Sequence, residues 1–239
     1  GVDWRTAKIY HVKTIRDLLG GEYYVNTDSE FDQVGQQKGL GDPIDYNFTN
    51  YVDWLGFFGQ GQYSSGDITA YAMAGFTSVK YSHWNHFKMA SNYNFTNQSE
   101  KDGSGEEWIE APGSTEGGNT GELYIEADPI SSYQFKFGLN YELGDALSFL
   151  NSIPVVGKLY DHTDVWFNFG TVDKAPIMDQ VIYEDDGDIF YGGDNGTNEN
   201  FTAFELGFNF ASNDGTMASK FNIYNTAWTD RVQSRTMPA

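Results

Sequence analysis

The sequence predicts an all-β, antiparallel fold: a transmembrane β-barrel segment of about seven strands with long loops at one end. Three observations predict it. Apolar residues recur at every second position in several stretches, the spacing that puts them on one face of a strand. The links between these stretches alternate between short and long. Composition removes the main competitors. The chain has 239 residues, 34 acidic and 14 basic, with a formal charge of −20 and no cysteine. So acidic a chain cannot neutralise a row of phosphates, so nucleic acid is not an expected partner. Without cysteine there is no disulfide framework, thiolate nucleophile or cysteine-based zinc site. No apolar run is long enough for a membrane-spanning helix.

In chain order, residues 2–11 form a first strand with poor alternation, and 55–63 and 68–81 form two more, rich in glycine, alanine and aromatics. The clearest strand is 133–141. Tyr133, Phe135, Phe137, Leu139 and Tyr141 occupy one face, and Gln134, Lys136, Gly138 and Asn140 the other. Residues 165–169 follow, with Trp166 out of place on the polar face. In 204–210, Phe204, Leu206, Phe208 and Phe210 alternate with Glu205, Gly207 and Asn209; 220–225 is weaker and carries Phe221 and Ile223.

Ser64-Ser65-Gly66-Asp67 and Asn213-Asp214-Gly215-Thr216 read as tight turns. Residues 13–45, 86–120 and 176–199 read as long polar loops. The link 142–162 is intermediate, with a helical turn expected at 146–151. Antiparallel strands send alternate links to opposite ends, so one end is compact and the other carries the long loops. That is the layout of an outer-membrane barrel. The eight steps from Tyr133 to Tyr141, at about 3.3 Å each and a tilt of about 40°, rise roughly 20 Å, close to the height of such a barrel's apolar band. The expected lipid-facing residues are Tyr133, Phe135, Phe137, Leu139, Tyr141, Phe204, Leu206, Phe208, Phe210, Phe221 and Ile223. A β-sandwich shows the same alternation, because one face of each sheet meets the core. A secreted carbohydrate-binding sandwich and a small eight-stranded adhesin-like barrel therefore remain alternatives.

The chain opens on Gly1-Val2-Asp3-Trp4 and stops just after a strand-like run. We expect a single partial domain, 1–239, cut from a longer chain; the alternative is a mature protein that has lost its signal.

Residues 1–11 (GVDWRTAKIYH) and 15–25 (IRDLLGGEYYV) resemble the barrel region of TonB-dependent receptors of the kind found in Bacteroidetes. Residues 55–63, 135–141, 167–176 and 220–231 are similar to further strands of that barrel. The resemblance covers most of the chain outside the variable loops. It implies a Gram-negative outer-membrane location and a barrel of about 22 strands closed by a plug. It also implies import of a bulky nutrient such as a siderophore or glycan, energised by TonB through an N-terminal region that is missing here. A surface lipoprotein as a cap is left open. The family's plug, TonB box and aromatic C-terminal strand have no counterpart in these residues.

No enzyme and no cofactor is expected. Carboxylates are plentiful, but no motif fixes the separation of a pair, and there is no nucleophile elbow or phosphate loop. His83 and His86 have a spacing that suits metal binding on a helix, yet they follow a strand. The runs 184–188 and 194–199 offer oxygen ligands without the spacing of a calcium loop and read as solvated acidic loops. Trp108, Tyr183, Phe190 and Tyr191, aromatic residues beside acidic ones in the loops, are the candidate ligand contacts. The competing reading is that they only close the loops onto one another.

Overall fold

Period-two patterning builds one dominant sheet. The computed structural model describes residues 1–26, 35–89, 94–97, 122–144, 162–185, 188–191, 197–212 and 216–231. The first strand, β1 (Val2–Thr14), is followed by the short pair β2 (Tyr24–Val25) and β3 (Gln37–Lys38). A long hairpin comes next, β4 (Pro43–Ser65) and β5 (Ile68–Met89). Then come β6 (Asn94–Asn97), β7 (Glu122–Glu126), β8 (Ile130–Glu142) and β9 (His162–Lys174). One helical turn, α1 (Met178–Val181), leads into β10 (Tyr183–Asp185) and β11 (Asp188–Tyr191), and β12 (Glu199–Ala211) and β13 (Ala218–Thr229) end the series.

The main sheet has the order β1-β4-β5-β8-β9-β12-β13, every neighbour antiparallel, with β7 also pairing β5. Each strand lies beside the next one of the sheet in the chain, an up-and-down meander. Among the described residues β1 pairs only β4 and β13 pairs only β12, so the described sheet is open at both sides. The β4–β5 hairpin turns on Gly66, whose φ of +54° suits a two-residue connection.

Directly paired residues share a face, so the register assigns every side chain. Leu55, Phe57, Phe76, Tyr133, Phe135, Phe137, Leu139, Tyr141, Phe167, Phe169, Phe204, Leu206, Phe208, Phe210, Phe221 and Ile223 fall on one side, here the Phe135 face. Gln62, Tyr71, Gln134, Lys136, Asn140, Asn168, Glu205, Asn209 and Asn222 fall on the other, the Gln134 face. No second sheet among the described residues buries the aromatic side: Tyr133, Phe135, Leu139, Phe204, Leu206, Phe208, Phe221 and Ile223 are all exposed. Phe137, Tyr141 and Phe210 are half-buried by their neighbours. The polar side is tied by cross-strand bonds. Asn209 donates to Asp164 at 2.8 Å, Asn222 to Glu205 at 2.8 Å, and Tyr71 reaches over β8 to donate to Asn168 on β9 at 3.2 Å.

Three expectations need correction. Strand pairing runs further into the long links than alternation suggested, because β4 starts at Pro43 and β5 continues to Met89. The two strands have 23 and 22 residues, about 75 Å of backbone each, several times the apolar band. Alternation failed there because the apolar phase changes face: Val52 and Trp54 lie on the Gln134 face, Leu55 and Phe57 on the other. The second correction is β7, which extends β8 across a bulge. Between the pairs Val79–Ile130 and Ser82–Glu126, two residues of β5 stand against three, Ala127, Asp128 and Pro129. The third is the loop reading of 176–199, which holds a helical turn at Met178–Val181 and the short strands β10 and β11; the turn expected at 146–151 lies outside the described residues.

Candidate functional site

The loop-side end of the Gln134 face holds the most developed site. Val52 and Trp54 on β4, Val79 and Tyr81 on β5 and Ile130 on β8 form an apolar patch there. The chain leaving β9 folds back onto it. The Gln180 side chain accepts the Ile177 N–H at 3.1 Å and so holds the single turn of α1. That turn delivers Val181, fully buried, and Ile182 onto the patch. Tyr81 donates to the Pro176 carbonyl at 3.0 Å and pins the start of the crossover. Burial pushes the Tyr81 phenol above its ordinary pKa, so it stays a donor. Replacing Val181 with Asp is expected to cost on the order of 3 kcal/mol, through an uncompensated buried charge. Hydrogen exchange should show α1 and Tyr81 deprotected while β8, β9 and β12 keep their protection.

Two clefts open on this face, one beside α1 and one beside the end of β9. One, about 270 Å³, is lined by Phe48, Asn50, His83, Leu123, Met178 and Tyr183. There His83 Nδ1 lies 2.7 Å from Asn50 Oδ1, and the His83 ring tilts against Phe48 at 5.2 Å between centroids. The other, about 340 Å³, is lined by Trp54, Thr77, Tyr81, Ser132, Gln134 and Lys174. The Trp54 indole N–H beside it is buried with no hydrogen-bond partner among the described residues. Lys174 is held by Glu199 at 3.2 Å. Rings alternating with amide, hydroxyl and imidazole groups suit a neutral, polar ligand with apolar edges. Among the described residues, no three of His, Cys, Asp and Glu gather as metal ligands.

Of the four loop aromatics, Tyr183 lines the first cleft. Its register partner is Phe190, in the β10–β11 hairpin. Tyr191 is buried, 5% exposed. β11 pairs β6 in parallel, so these residues also join two of the long links to each other. Trp108 lies outside the described residues. His83 and His86 project to opposite faces of β5, because three steps along a strand reverse the side, so they cannot share one ion. Sequence reasoning missed Phe48, Trp54 and Tyr81. The usable signal was the change of apolar phase between Trp54 and Leu55.

No known protein family, curated protein or solved structure matches the chain.

Proposed function

We propose that this chain is a segment of an outer-membrane β-barrel of the TonB-dependent receptor type, and that it serves the import of a bulky nutrient. One observation carries the reading: a single antiparallel layer with an uncovered aromatic face and a hydrogen-bonded polar face. A soluble protein rarely exposes an apolar patch of that extent, whereas lipid is its natural cover. A carbohydrate-binding sandwich needs a second layer on those rings, and none of the described strands supplies it.

The open sides of β1 and β13 bear on size. Unpaired backbone groups are not tolerated in hydrocarbon, so further strands must complete the wall. A large barrel meets that need without forcing these seven strands to close alone. Strands that run past the apolar band would carry the loop-side clefts to its outer edge and on to the headgroup level. Ligand would be met there first, between the β4–β5 hairpin and the α1 crossover. The mechanism is capture and passage, with no bond made or broken.

The test is migration. The full-length chain, extracted in detergent, is expected to run faster on a denaturing gel unheated than after boiling, as a closed barrel does. A monomer fully soluble without detergent would overturn the proposal.

A further inference from the structure

The Phe135 face holds a third cleft, which nutrient passage does not use. Past the last rings of the apolar band, β4, β5 and β7 line an open cleft of about 690 Å³. Register builds its walls: Tyr51 faces Ser82, and Trp84 faces Tyr124. The Trp84 and Tyr124 rings meet at 84° with centroids 6.1 Å apart, a corner of two aromatic surfaces. Tyr51 supplies a third. Asp53, Glu122 and Glu126 line the same space.

The charges there are unequally matched. Glu126 pairs with Lys80 and accepts the Tyr124 hydroxyl at 3.1 Å; the lysine holds its carboxyl below the ordinary value. Glu122 accepts the Trp84 indole N–H at 2.7 Å and lies 3.0 Å from His86 Nδ1. Asp53 makes no hydrogen bond or ion pair among the described residues. The rim already seats one alkylammonium group: Lys8 Nζ lies 4.8 Å from the Tyr10 ring centroid and 5.3 Å from that of Tyr51. Hydrogen bonds to Tyr10 and then Tyr51 favour its charged form.

We propose that this cleft binds an organic cation, an alkylammonium group seated against Trp84, Tyr124 and Tyr51 with Asp53 and Glu122 facing its charge. Aromatic faces attract such cations through their quadrupole, and the neighbouring carboxylates add Coulomb attraction. The charge of −20 enriches cations near the surface and repels anions. A hard metal ion is a poorer fit, because rings offer it no oxygen. The geometry stands without the membrane reading, which adds only a source. In a bilayer the cleft lies at headgroup level, where a lipid ammonium is in reach; in water a free amine has the same chemistry.

The test titrates the full chain with tetramethylammonium chloride and, separately, with tert-butanol, a neutral molecule of similar shape. Saturation-transfer NMR of the ligand methyls gives the readout, in detergent, or in buffer if the chain needs none, so a failed membrane reading leaves the test intact. Saturable binding of the ammonium alone is expected. Trp84→Leu and Asp53→Asn should each weaken it at least about fivefold, with Trp84→Phe largely preserving it. Equal responses to the two ligands, or an unchanged affinity in Trp84→Leu, would overturn the proposal. Nanodiscs locate the source: weaker apparent binding with ethanolamine than with glycerol headgroups marks a competing lipid, and equal binding marks a free amine.

Discussion

An arginine in place of Leu139 is expected to destabilise the protein in lipid by about 2–4 kcal/mol, whereas an arginine at the adjacent Asn140 should change stability by less than about 1 kcal/mol. The two positions are consecutive on β8 and take opposite faces. Leu139 lies on the uncovered aromatic side, 39% exposed, between Phe137 and Tyr141. A guanidinium there must enter hydrocarbon or pull headgroups and water inward. Asn140 lies on the polar face between Thr69 on β5 and Trp166 on β9, where a long cationic side chain keeps water. In water the contrast disappears, because an arginine on an exposed strand position is nearly neutral. Urea unfolding of the full-length chain and both variants in lipid vesicles measures it. A Leu139→Arg loss below about 0.5 kcal/mol would mean that this face never meets acyl chains.

The sheet was legible because one face of each strand keeps one environment over the band. Tyr133 to Tyr141 and Phe204 to Phe210 hold a strict period of two, and both stretches lie within strands of the structure. The loop-side site was far less legible. There the two faces exchange roles: the side that is polar in the band packs α1, so Val52, Trp54, Val79 and Tyr81 change the apolar phase. A search for one continuous alternation stops at that change and reads the rest as loop. The bulge at Ala127–Pro129 hides β7 in the same way, since one extra residue reverses every side chain beyond it. The β6–β11 pairing joins residues nearly a hundred apart and leaves no local mark.

Trp166 is the residue that alternation could not explain, and it leads to the second large effect. It sits on the polar face because its register partner on β12 is Gly207. Its indole lies across that glycine so closely that a Cβ there would overlap the ring. Tyr71 covers Gly138 on β8 in the same way before bonding Asn168. In both pairs a large ring fills the space that a missing side chain leaves, and neither partner alone reveals the pair in sequence. Gly207→Val is therefore expected to cost about 1–3 kcal/mol, the usual penalty of forcing extra carbon into a packed position. Valine's high strand propensity acts in the opposite direction, so a measured loss reports the clash rather than the backbone. Adding Trp166→Ala removes the ring, and the double variant should recover most of that loss, a coupling readable in a double-mutant cycle. If the two substitutions instead add independently, the ring does not rest on Gly207. The order of β9 and β12 on the polar face would then need another source.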